Sequence, residues 1–194
     1  MTLLVLGLVV FLGMHSARVL AAGPRAAFIA RHGENAWKGL YSLVSIAGFV
    51  LLVVGYGQAR QQPVVLWAAP VALRHLAGVL TLVAFVLVVA AYVPGNGLKA
   101  RLHHPMVLGV KTWALAHLLA NDTLADLLLF GAFLAWSVAS YAAARRRDRA
   151  AGTVYAPGNA SRTAITVVVG VAAWAAFAFW AHGAWIGVRP FGSS

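Results

Sequence analysis

Cysteine is absent from the 194 residues, and acids are nearly so: 4 Asp+Glu stand against 15 Lys+Arg and 7 His. Without cysteine there is no disulfide, no iron–sulfur cluster, no thiolate-held zinc or haem, and no CxxCH-type covalent haem attachment. Any metal must be held by histidine or oxygen. The shortage of acids removes further chemistries. A paired-carboxylate hydrolase lacks its pair, a Ser-His-Asp enzyme lacks its third member, and a proton-relay transporter would need acids inside its spans. Neither a P-loop nor a GxGxxG string occurs. Ser16, Ser42 and Ser45 lie in apolar surroundings and read as hydrogen-bond donors between helices rather than nucleophiles.

What the chain has in abundance is apolar sequence. Hydrophobic residues make up 62% and charged residues only 10%, where a soluble domain carries about a quarter charged. The net charge of +11 does not point to nucleic acid, because apolar runs separate the basic residues instead of gathering them on one polar face. A bilayer core needs about 20 apolar residues of helix. Such stretches lie near 2–22, 40–59, 70–93, 106–120, 123–144 and 164–187. The expected fold is all-α: a polytopic membrane helical bundle of about six transmembrane helices, forming one integral domain over 1–194. The fourth stretch is short and contains Lys111, so the alternative is five spans plus a re-entrant segment. Residues 1–22 do not read as a cleaved signal peptide, since no Lys or Arg precedes the apolar run and His15 and Arg18 lie near its end.

The loops after the first, third and fifth stretches hold Arg25, Arg31 and Lys38, then Lys99 and Arg101, then Arg145, Arg146, Arg147, Arg149 and Arg162. The opposite side holds Arg60 and Arg189, with Arg74 just inside the third stretch. Because cytoplasmic loops carry the basic excess, both termini are expected on the periplasmic or outer side. Residues 145–163 then form a basic cytoplasmic linker touching anionic lipid, in which Arg-rich sequence gives way to Gly152, Pro157, Gly158 and Asn159. Trp67, Trp180 and Trp185 fit an aromatic belt at the span ends.

An ionisable residue inside a membrane span is costly and therefore a candidate for function. His15, His75, His117 and His182 all fall within apolar stretches. At 1.5 Å per residue, His15 lies about 10 Å and His117 about 16 Å from the cytoplasmic boundary. Tilted helices absorb that offset, so the two imidazoles are candidate axial ligands of a haem b. His75 with His117 is a second pairing that depth does not separate from the first. Arg18, Arg74 and Lys111 offer cations for the haem propionates. The plainer reading of each histidine is a hydrogen bond to a neighbouring helix. His32 reads as part of a solvated loop. His103 and His104 precede Pro105, which suits the first turn of a helix, and His104 there can meet an anionic group of a lipid or a cofactor. Asp122 is expected to cap the fifth span, with Asp126 one turn later.

Four strings occur together: Gly13-Met14-His15-Ser16-Ala17-Arg18; Leu40-Tyr41-Ser42-Leu43-Val44-Ser45; Gly55-Tyr56-Gly57-Gln58-Ala59-Arg60; and His104-Pro105 through Lys111, Trp113, His117 and Asn121. In order and spacing they resemble the NnrU family over roughly 1–187. The resemblance implies a multi-pass inner-membrane protein of bacteria, associated with denitrification and nitric oxide metabolism. It also implies kinship with zeta-carotene isomerase, a haem b membrane enzyme of plants and cyanobacteria. That enzyme's ligand histidines lie in the early His-Ser motif and the late Trp-x-x-x-His motif, which match His15 and His117 here. The isomerase also has a cysteine three residues before the second histidine, where this chain has Ala114, so a cysteine-for-histidine ligand exchange is unavailable.

The leading reading is thus a haem b-binding redox protein, with His15 and His117 as metal ligands and a redox or nitrogen-oxide reductase as possible partner. The second is a non-enzymatic assembly or accessory protein for such a reductase. The third is an isoprenoid- or lipid-modifying enzyme, isomerase-like or methyltransferase-like. Its basis is that His104-Pro105 with Gly109 is similar to a His-Pro-x-x-x-Gly string of membrane isoprenylcysteine-type methyltransferases.

Overall fold

Each of the six apolar stretches is helical in a computed structural model of the chain, which describes residues 1–191. The order is α1 (Thr2–His15), α2 (Ala17–Leu20), α3 (Ala22–His32), α4 (Glu34–Ala59), α5 (Val71–Tyr92), α6 (Gly97–Leu102), α7 (Pro105–Ala120), α8 (Leu124–Ala150) and α9 (Ala160–Ala176). A π-helical turn over Phe177–Ala181 follows, then α10 (His182–Ile186). No β-strand forms among the described residues. Four runs are long and apolar enough to cross a membrane: α4 with 26 residues, α5 with 22, α8 with 27, and the 27 residues of Ala160–Ile186. α1 and α7 are shorter, at 14 and 16 residues. The protein is an all-α membrane protein whose large apolar side chains, among them Val9, Leu43, Ile46 and Val168, stand exposed to lipid.

Helix boundaries differ from the hydropathy reading where polar sequence is itself helix-forming. The first apolar helix ends at His15, with Ser16 at φ −88°, ψ −4° between it and α2, and Ala21 leaves helical geometry before α3. Residues 23–39, expected as a loop around His32, are instead the polar helix α3 and the first turns of α4, parted at Gly33, whose φ of 86° a side chain would resist. Their Ala, Arg, Glu and Lys are good helix formers, a property that hydropathy does not register. The same cause carries α8 through Arg145 to Arg149, leaving only 151–159 of the expected linker non-helical.

The chain divides into two compact units, Met1–Ala68 with Asp122–Trp136, and Ala69–Asn121 with the described residues from Ser137 onward. In the first unit α1 lies along α4 at backbone contact. A Cβ on Gly55 would fall 2.3 Å from the Leu4 nitrogen, and one on Gly7 2.5 Å from the Leu52 nitrogen. Such small residues are how helices associate where lipid supplies no hydrophobic drive. Around the crossing, Leu4, Leu8, Leu52, Ala59 and Ala125 form the buried core, flanked by Phe11 and Tyr56. The N-terminus of α8 is capped by Thr123, not by Asp122. Thr123 Oγ1 accepts from the Asp126 nitrogen at 3.3 Å, and Asp126 Oδ2 accepts from the Thr123 nitrogen at 3.2 Å, a reciprocal capping box. Asp122 instead uses its carbonyl, which accepts from Leu66 N–H at 2.8 Å. The buried Asp126 also takes the Tyr56 hydroxyl on Oδ1, tying α4 to the start of α8.

In the second unit α5 packs against both α7 and α9. A Cβ on Gly109 would lie 3.0 Å from the Ala84 carbonyl oxygen, and one on Gly170 2.7 Å from the Val86 Cα. The Trp174 indole donates to Thr81 Oγ1 at 3.1 Å. Pro105 opens α7 as expected. Buried Asn96 accepts the Lys99 N–H at 2.8 Å, capping α6, while its amide donates to the Ala90 carbonyl at 2.8 Å.

A Gly55→Ala substitution should destabilise the first unit by about 1–3 kcal/mol, the cost of overpacking. Gly57→Ala, with nothing within 4 Å of its added methyl, should be neutral or slightly stabilising, since alanine favours the helix. Thermal melts of the two variants in detergent check the contrast, and equal melting temperatures would remove the close-approach argument.

Candidate functional site

His15 is the last residue of α1, and its Nδ1 lies 2.7 Å from the Phe11 carbonyl oxygen one turn earlier. A carbonyl only accepts, so Nδ1 carries a proton, which in the neutral ring leaves the lone pair on Nε2. The ring stacks on Phe11 with centroids 4.1 Å apart, and meets Tyr41 at 5.3 Å and the edge of Trp136 at 6.2 Å. Trp136 itself donates to the Ser16 hydroxyl at 3.1 Å, holding that wall in place. Beside the imidazole opens a cavity of about 360 Å³ lined by His15, Arg18, Arg25, Glu34, Lys38 and Tyr41. Its volume falls at the low end of the range for small-molecule sites, about 300–1,000 Å³.

Cations dominate that rim. Arg18 extends from α2, and the Arg25 guanidinium sits 5.6 Å from the centroid of the Trp37 ring in a cation–π arrangement. Lys38 pairs with Glu34 at 3.1 Å, both well exposed. Arg18 stands near His15 as the sequence predicts. Arg25 and Lys38 were legible only as orientation charges, since their approach depends on α3 and the first turns of α4 being helical. An amphipathic periodicity in the polar stretch 22–32 was the signal that could have found them.

The remaining candidates belong to the second unit. His117 donates from Nδ1 to the Trp113 carbonyl at 2.8 Å, the same arrangement as at His15, and its own carbonyl accepts the Asn121 side chain at 2.8 Å. Lys111 is half-buried on α7, whereas Arg74 and His75 stand exposed in the first turns of α5. His104 is differently engaged. Its Nε2 donates to Asp148 Oδ2 at 2.8 Å, and the same oxygen accepts the Tyr155 hydroxyl at 3.0 Å and Arg145 Nη1 at 3.4 Å. Asp148 is thus a junction joining α8, the start of α7 and the 151–159 segment. His103, beside it, adopts φ 68° and keeps its ring edge-on to Tyr155 at 4.1 Å. The structure therefore brings His15 and Arg18 to one cavity, and places His117, Arg74, His75, Lys111 and His104 in the other unit. Among the described residues no group of three or more His, Cys, Asp or Glu is arranged to hold a metal ion. A haem iron asks for less, since the porphyrin supplies four ligands and the protein one or two.

These residues fall inside a single family pattern: a family model described as NnrU protein matches residues 3–190. The chain belongs to the NnrU family. The NnrU match covers both units, with His15, Arg18, His104 and His117 within it. Comparison with curated proteins and with solved structures gives no match.

In this NnrU member the Tyr155 phenol is pushed above its ordinary value by burial first, then by its hydrogen bond to Asp148 and that residue's negative charge, with Arg145 opposing. Each of the first three disfavours phenolate. Asp148→Asn should therefore lower the Tyr155 pKa relative to the parent. A 13C-tyrosine NMR titration reads this directly, and an unmoved midpoint would show that the carboxylate does not govern the phenol.

Proposed function

We propose that this NnrU chain is a haem b protein of the bacterial inner membrane, acting in nitrogen-oxide or other redox metabolism. His15 would be one of the residues holding the iron, and Arg18, Arg25 and Lys38 would meet the acidic propionates. His117 is the candidate for the other ligand. The observation that carries this reading is the pair of Nδ1–H bonds to backbone carbonyls, at 2.7 Å for His15 and 2.8 Å for His117. Metal-bound histidines typically donate their second ring N–H to such an acceptor, which fixes the tautomer and raises the basicity of the ligating nitrogen. The residues at the His15 cavity also fit the group chemically: an imidazole with its lone pair on Nε2, aromatic walls, and a cationic rim suited to carboxylates.

When bound, haem would supply a redox-active iron, its potential set by axial ligands and burial. The chain's own residues do the rest. The Phe11 carbonyl holds the proton on Nδ1, and Phe11, Tyr41 and Trp136 restrain ring rotation. With Ala114 buried three residues before His117, no thiolate is available there for ligand exchange. The distribution of basic residues supports periplasmic termini and a cytoplasmic Arg145–Arg149 end.

Optical spectra of detergent-purified protein, oxidised and dithionite-reduced, provide the test. A sharp Soret band with split alpha and beta bands is expected, as for low-spin bis-histidine haem. His15→Ala should lose most of the chromophore, and His117→Ala should lose it or turn it high-spin, while His75→Ala leaves it intact. A colourless protein that stays colourless on haem supplementation overturns the proposal, and co-purification of a reductase would then favour the accessory reading.

A further inference from the structure

The second unit contains another concavity, of about 610 Å³, with no histidine in its walls. It lies between α6 and α9. Its lining is apolar along Leu98, Ala164, Val167 and Val168, and carries one cation, Arg101. The polar wall atom, Thr163 Oγ1, already accepts the Gly97 N–H at 2.8 Å. One end is closed by backbone contact, since a Cβ on Gly158 would fall 2.2 Å from the Gly97 Cα. Arg101 is exposed and makes no ion pair among the described residues, and none of the chain's acids lines the groove.

The order of polarity along the groove is specific. Val167 and Val168 are 40% and 67% exposed on the first turns of a membrane-spanning run, where lipid is the solvent. Arg101 lies on α6, which precedes the His103-His104 turn outside the spans. A free anion would meet the guanidinium but leave the apolar floor unused. A zwitterionic lipid would cover the floor yet bring its own cation to the arginine. An anionic phospholipid satisfies both, with a charge-assisted hydrogen bond from guanidinium to phosphate and an acyl chain against the valines. We propose that the groove between α6 and α9 binds one anionic glycerophospholipid, its phosphate on Arg101 and an acyl chain over Leu98, Ala164 and Val168. This site is independent of the haem reading.

The test uses the full chain in a neutral detergent, titrated with phosphatidylglycerol and phosphatidylcholine of matched acyl chains, with bound lipid counted by native mass spectrometry. One phosphatidylglycerol should be retained in preference to phosphatidylcholine. Arg101→Gln should weaken phosphatidylglycerol binding at least about fivefold, the scale of one basic residue at an anionic surface, and leave phosphatidylcholine unchanged. Arg146→Gln, an exposed arginine outside the groove, should have no effect. Ala164→Trp, which fills the floor, should weaken both lipids. Equal binding of the two lipids by the parent protein, or equal loss in Arg101→Gln and Arg146→Gln, overturns the site in favour of diffuse charge. Glycerol phosphate without acyl chains binding as well as the lipid would also overturn it. An unchanged visible spectrum in Arg101→Gln keeps the result separate from the haem proposal.

Discussion

Contact between helix backbones at glycine is the constraint on which the first unit depends. In lipid, leucine against leucine gains little over leucine against acyl chain, so helices hold together through close van der Waals fit. Gly7 and Gly55 give that fit between α1 and α4, and Gly48 adds a third point where a Cβ would meet the Phe11 nitrogen at 2.8 Å. Because Phe11 is both a contact at this crossing and the residue whose carbonyl and ring hold His15, the helix packing and the candidate ligand are mechanically one feature. The same logic recurs in the second unit, where Gly109 and Gly170 bring α7 and α9 onto α5.

The apolar helices were legible because their signal is simple: length, hydropathy and the near absence of charge. Pro105 at the start of α7 and the turn before α8 followed from local rules. The polar helix α3 was not legible by the same means, since hydropathy treats a charged helix and a solvated loop alike. Asp122 looked like a helix cap from its place in the chain, yet Thr123 performs that role because only it stands three residues before Asp126, where a capping box can close. His15 with Arg18 could be read from helical spacing. The approach of Arg25 depends on α3, whose only local sign is an amphipathic periodicity, and the grip of Asp148 on His104 spans long sequence separation and has no local signature.

The two histidines singled out from sequence differ from the rest in how the backbone treats them. His15 and His117 each donate to the carbonyl four residues earlier, whereas His104 spends a nitrogen on a carboxylate and His182 reaches forward to the Val188 carbonyl at 2.6 Å. A histidine bonded back along its own helix is oriented before any ligand arrives. Membership of the NnrU family says which chain pattern this is, and the hydrogen bonds say which of its imidazoles the backbone holds in a fixed orientation.

The π-helical turn over Phe177–Ala181 alters the angular arithmetic of the chain's last span. In an uninterrupted α-helix, residues five apart diverge by about 140° around the axis. Trp180 and Trp185 are five apart, yet their ring centroids lie 6.2 Å from each other and both remain largely exposed, at 67% and 73%. The wider turn closes only a small part of that angle, and the breadth of the two indoles spans the rest, so the end of the span carries one paired aromatic surface.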